Sequence, residues 1–191
     1  DVVRSRGLGD VYKRQVEPVG FPTREPMLAE GKVDSVTGFS FSSYLNLVRL
    51  GVPEEDISTI LMADHGLKLY GNAVIVNTDY AKNNSDMVKK FLVAIGAGWR
   101  DAIKDPKAAA AALVKRNPAA DAALEQRRLQ LAIDANVLTD YVKANGMGGV
   151  DSSRFAAAIE QLSETYEYKA APNAALYFTD EYLPANGISL N

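Results

Sequence analysis

Hydrophobic positions change their rhythm once along the chain. Up to about Asn77 they come in short runs broken by Gly, Pro and Asn, whereas from Ser85 onward they recur at intervals of three and four. The first regime predicts short helices alternating with strands. "PTREPMLAEG" reads as a short helix with Thr23 as N-cap and Gly31 in the C′ position. "VDSV" (33–36) reads as a strand, and "SSYLNLVRLG" as a helix that Gly51 stops. Ile57–Met62 and "AVIVN" (73–77) are the next two strands, the second a β-branched apolar run suited to a sheet interior. This alternation makes α/β the predicted fold class.

The second regime is helical. Val88, Phe91, Leu92, Ile95, Trp99, Ala102 and Ile103 fall on one face of a helix that Asp105-Pro106 ends. An Ala-rich helix follows with Pro106 at its first position. A long helix is predicted from about Ala119 to Asn145, with Leu124, Leu131, Leu138 and Val142 on its apolar side and "NGMGG" as its stop. Asp151 caps the last helix, where Val150 and Phe155 have the spacing of a hydrophobic staple. "FTDEYLP" (178–184) reads as a segment that docks the C-terminus.

Composition narrows the function classes. A net charge of −3 with no basic helix face argues against a nucleic-acid partner, whose phosphates demand clustered Lys and Arg. With no cysteine there is no disulfide, thiolate metal site or cysteine nucleophile, and a single His makes a protein-built zinc site a poor expectation. No cofactor and no metal are expected. No apolar run is long enough to predict a membrane-spanning helix. The opening "DVVRSRGLGDVYKRQ" is basic and lacks an apolar core, so it does not read as a secretory leader. It resembles translated adapter sequence joined to coding sequence, and residues 1–15 are expected to be foreign to the fold.

Two stretches carry candidate chemistry. In an open α/β sheet ligands sit beyond the carboxyl ends of strands, and the loop after "VDSV" is such an end. Thr37, Ser40, Ser42 and Ser43 offer neutral donors and acceptors, Gly38 permits close approach, and Phe39, Phe41 and Tyr44 can stack on a planar group. A helix starting near Ser42 would aim free N–H groups at an anionic or carbonyl-bearing ligand, while the bland reading is an N-cap cluster with two core aromatics. In "ADHGLKLYGNA", His65 beside the Asp64 carboxylate is a candidate general base, although no nucleophile motif accompanies it, and both residues count among the candidate ligand contacts. Tyr70, Gly71 and Asn72 have the makings of a pocket wall.

The order of pieces then becomes recognisable. "MLAEGKVDSVTGF", the run from "LVRLGVPEED" through "LVKRNP", and the closing "YFTDEYLP" resemble the substrate-binding proteins of ABC importers of the nitrate, sulfonate, taurine and thiamine-pyrimidine type. The resemblance covers residues 16–191. It implies part of a two-lobed, type II periplasmic-binding-protein-like α/β fold with an incomplete first lobe. Residues 16–68 would be the later part of the second lobe, and 69–191 the hinge return and the mainly helical end of the first. It places Thr37, Gly38 and Phe39 on the cleft side of the second lobe, and Tyr70, Gly71 and Asn72 near hinge and pocket. The implied function is non-catalytic. A small organic or anionic ligand is captured and passed to permease subunits, by a protein that is monomeric at full length and lies in the periplasm or otherwise outside the cytoplasm, soluble or lipid-anchored. Two alternatives share the fold. One is a pyrimidine-precursor synthase-like enzyme, whose cysteine-rich segment this chain lacks, and the other is the effector-sensing domain of a transcription regulator.

Overall fold

A computed structural model describes residues 16–170 and 172–190. The leader expected at residues 1–15 lies outside the described residues. The chain divides into two compact units, Asp1–Ser58 and Thr59–Asn191.

In the N-terminal unit, helix α1 (Arg24–Ala29) follows a 3-10 turn and packs on α2 (Ser40–Arg49). Both helices stop in the same way. The N–H of Gly31 reaches Leu28 O and that of Lys32 reaches Met27 O, and Gly51 and Val52 repeat these bonds to Val48 and Leu47. Leu45 and Leu47 of α2 are the buried apolar residues here. Thr23 departs from its expected role, because its hydroxyl turns back to Gly20 O (2.8 Å) instead of capping α1.

The C-terminal unit is a helical assembly. Helix α3 (Thr78–Asn83) is capped by Asn77 Oδ1, which accepts from Asp79 and Tyr80 N–H at 3.0 Å. Helix α4 (Ser85–Lys104) packs on α3 and on α5 (Pro106–Arg116), and α5 packs on α6 (Ala122–Ala132). Asp105 ends α4 and caps α5 through Ala108 N–H (2.9 Å), with Pro106 at the first helical position as expected. Along α4 the buried line runs through Val88 and Gly96, while Phe91, expected on this face, is exposed.

Two expectations fail. The long helix over 119–145 is three pieces: α6, a π turn at Ile133–Val137, and α7 (Asp140–Asn145), which Thr139 restarts by accepting from Val142 N–H. Ile133 is buried at the start of the π turn. The predicted strands at 33–36, Ile57–Met62 and 73–77 are not strands. Asp34 lies in a bend and Met62 opens a 3-10 turn, and among the described residues no strand is formed. A strand exists only where a neighbour takes up its N–H and C=O groups, and β-branched composition cannot supply one. Ile60 (76% exposed) and Ile75 (92% exposed) accordingly face outward.

The only paired extended residues described are Met147 and Ile188, whose N–H and C=O groups exchange bonds of 2.8 and 2.9 Å. They sit in matching tripeptides, Asn145-Gly146-Met147 and Asn186-Gly187-Ile188. Both glycines have positive φ, and a Cβ on Gly146 would lie 2.5 Å from Asn186 O, just as one on Gly187 would lie 2.6 Å from Asn145 O. Glycine is therefore required twice, by conformation and by contact. Ile188, 5% exposed, seats against Gly96 of α4, and Arg100 donates to Ser189 O at 2.9 Å. Helix α8 (Ser152–Thr165) follows, capped by Asp151 as expected, with Oδ1 accepting from Arg154 N–H at 2.7 Å. The short α9 (Ala174–Tyr177) packs on α8.

Candidate functional site

The Thr37–Ser43 loop comprises the three residues before α2 and the first turn of that helix, with Thr37, Gly38 and Phe39 exposed and Ser40, Ser42 and Ser43 half-buried. Phe39 is the N-cap and offers no polar side chain. Its carbonyl accepts from the N–H groups of Ser42 (2.9 Å) and Ser43 (2.8 Å). Phe39 and Phe41 stack on each other at 5.4 Å with 21° between their planes, leaving half of Phe39 open. Tyr44 donates to Glu54.

Behind the loop lies a residue that sequence reasoning missed. Glu25, in the first turn of α1, is 5% exposed and accepts from Ser43 Oγ at 2.6 Å. Burial pushes its carboxyl up, but hydrogen bonds from Ser43, its own backbone and Asn46, with the Arg24 charge, outweigh that and hold it below its ordinary value. Arg24 in turn lies 4.4 Å over the Phe21 ring. Gly38 completes the arrangement. A Cβ there would overlap Ser43 Oγ and lie 2.8 Å from Ser43 Cβ, so only glycine lets the loop sit over the Ser43–Glu25 pair.

The second candidate stretch belongs to the other unit. Asp64 and His65 form a single exposed 3-10 turn ended by Gly66, and among the described residues neither side chain makes a hydrogen bond or ion pair. From Gly66 to Tyr70 the backbone runs along α8, whose side chains take the bonds a neighbouring strand would otherwise supply. Gln161 accepts from Lys68 N–H (3.0 Å) and donates to Gly66 O (2.8 Å). Arg154 donates to Lys68 O (3.3 Å) and Leu69 O (3.0 Å).

Tyr70 is the pin of this arrangement. Its oxygen accepts from Asp151 N–H (2.8 Å), the Arg154 guanidinium lies 4.6 Å over its ring, and Phe155 and then Phe178 continue the aromatic contact at 6.2 and 6.1 Å. Burial, followed by Tyr70 and Asp151 nearby, raises the Tyr141 hydroxyl above its usual value. Tyr70 keeps 37% of its surface open, and Gly71 and Asn72 continue as exposed chain. Arg154 and Gln161 also escaped sequence reasoning, since polar residues on a C-terminal helix carry no signal of what they touch. Among the described residues no three His, Asp or Glu gather as metal ligands would.

The sequence pattern of a protein family described as NMT1/THI5 like matches residues 2–109, more than half of the 191-residue chain. The chain belongs to the NMT1/THI5-like family. This family takes in the substrate-binding proteins of nitrate, sulfonate and taurine ABC importers together with thiamine-precursor enzymes. The matched span of this NMT1/THI5-like chain holds every candidate residue from Thr37 to Asn72, and Glu25 with them. No curated protein and no solved structure matches the chain.

Proposed function

We propose that this NMT1/THI5-like protein is the solute-binding component of an ABC importer. It captures a small organic or anionic metabolite between the lobes of a type II binding-protein fold and delivers it to permease subunits outside the cytoplasm. The observation that carries this reading is the family match over residues 2–109, which contains the partly exposed hydroxyl-and-aromatic loop at Thr37–Ser43. Ligand contact with both lobes would stabilise their closed arrangement, and the differential affinity of the two arrangements sets how far closure proceeds. No described helix is long and apolar enough to cross a membrane, in keeping with a partner role beside separate membrane subunits. A non-catalytic protein is favoured because His65, the single His, lies on an exposed 3-10 turn and its side chain makes no hydrogen bond or ion pair among the described residues.

The test is a thermal-shift panel of taurine, aliphatic sulfonates, nitrate, bicarbonate, formylaminopyrimidine, riboflavin and aromatic carboxylates. One compound should raise the midpoint in a saturable way, since a ligand at a hundredfold its Kd stabilises the folded state by about 2.7 kcal/mol. His65→Ala should leave that shift intact. Well-folded protein that responds to no compound would overturn the binding reading, and loss of a measurable turnover in His65→Ala would replace it with the enzyme.

A further inference from the structure

We infer that Glu25 is a specificity-determining residue: by accepting the hydrogen bond that Ser43 can donate, it makes the Thr37–Ser43 loop present an acceptor, so the ligand atom that meets Ser43 is a hydrogen-bond donor and not an anion. The inference rests on the proposed binding role of that loop and concerns only its hydrogen-bond polarity.

A serine hydroxyl has one O–H to donate and two lone pairs that accept. Ser43 donates to the Glu25 carboxylate at 2.6 Å, so its oxygen offers only lone pairs to anything arriving at the loop. An anionic oxygen placed there would face those lone pairs with a carboxylate directly behind them. Reversing the hydroxyl to greet an anion would leave Glu25, which is 5% exposed, without this donor, and a buried charge that loses a hydrogen bond is penalised heavily. The arrangement is held in register from the opposite side, because Gly38 has no side chain to displace the Ser43 hydroxyl from Glu25. Arg24 is the neighbouring positive charge, and its attraction for Glu25 brings the local sum towards neutrality. The group that fits best is therefore a neutral N–H or O–H donor, with the half-open Phe39 face available to a planar ligand.

A matched pair of probes tests this. Benzamide and benzoate have nearly the same shape, but at the position in question one carries an N–H donor and the other a negative oxygen. Both are titrated into isotope-labelled protein while the amide signals of Gly38, Ser40 and Ser43 are followed. Benzamide should bind there about tenfold more tightly than benzoate, the discrimination expected when one hydrogen bond turns into a repulsion. Glu25→Gln keeps the shape and can donate as well as accept, so it should shrink this ratio towards unity. Ser43→Ala should remove the preference by removing the acceptor. Benzoate binding as tightly as benzamide at these amides, or an unchanged ratio in Glu25→Gln, would overturn the inference while leaving a binding loop in place. Silence of these amides towards both probes would remove the loop from the binding reading and this inference along with it.

Discussion

Helix α4 contains two glycines two residues apart whose replacement by alanine should have opposite effects. In a helix interior alanine is favoured over glycine by about 1 kcal/mol, because the backbone loses less freedom on folding. At Gly98 a Cβ would meet nothing within 4 Å, so Gly98→Ala should collect that gain and raise the melting midpoint by about 2–4 °C. At Gly96 the same atom would fall within 3.0 Å of Ile188 Cγ2, a separation that real Cβ atoms essentially never show, and 3.4 Å from Ile188 Cβ. Ile188 is branched at Cβ and held on both sides, by the Met147 bonds and by the Arg100 bond to Ser189, so it cannot withdraw freely. Overpacking of this kind costs about 1–3 kcal/mol, which outweighs the propensity gain. The difference between the two variants cancels the shared propensity effect and should itself be about 1–3 kcal/mol. Removing the opposing side chain supplies the control. Ile188→Ala alone should cost about 2–5 kcal/mol, but in the Gly96→Ala background it should cost less, with a coupling of at least about 0.5 kcal/mol. Calorimetry or urea denaturation of the parent and these four variants decides the matter. If Gly96→Ala stabilises as Gly98→Ala does, or if the two changes add, Ile188 is not seated against α4 and the reasoning fails.

Glu25 should shape the acid limb of stability. Its folded carboxyl lies below the ordinary 4.5, so between the two values the unfolded chain binds the proton more tightly. The stabilisation is therefore complete above 4.5 and is lost as pH falls through the lower, folded value. Denaturation midpoints against pH should show a shallower acid limb in Glu25→Gln, with the remaining slope including Asp151, whose carboxyl is likewise lowered by Ser153 and the Arg154 N–H. An unchanged limb would mean the pair with Ser43 does not form. For the Gly66–Tyr70 segment, Gln161→Leu should speed hydrogen exchange of the Lys68 amide, which bonds to Gln161 Oε1. Exchange as slow as in the parent would show that another group protects it.

What the sequence revealed divides along the range of the interactions. Pro106 opening α5, Asp151 capping α8 and the glycines ending α1 and α2 act within a few residues, so residue type and spacing were enough to locate them. The strand predictions at 33–36, Ile57–Met62 and 73–77 rested on β-branched runs, whose partners no local pattern can specify. The long helix failed at Ile133–Val137 because its apolar spacing continues through a π turn, which begins at the buried Ile133 and which periodicity does not mark. The hydroxyl and aromatic residues at Thr37–Ser43 could be picked out as a candidate from the sequence, but what stands behind them could not. Glu25 sits in a first turn where a carboxylate usually faces water, and only the packing of α1 on α2 turns it inward.

The paired Asn-Gly-Met and Asn-Gly-Ile tripeptides also bear on how this protein ages. Asparagine before glycine is the sequence most exposed to deamidation, in which the following N–H attacks the side-chain amide and closes a succinimide ring. Here both attacking groups are already engaged, Gly146 N–H with Val142 O at 2.8 Å and Gly187 N–H with Pro184 O at 2.9 Å. The rigid bracket holds each nitrogen away from the conformation that cyclisation requires, so damage at Asn145 and Asn186 waits for the bracket to open. Opening also frees Ile188 from α4, so the rate of this chemical lesion is a clock that counts excursions of the C-terminal segment from its seat.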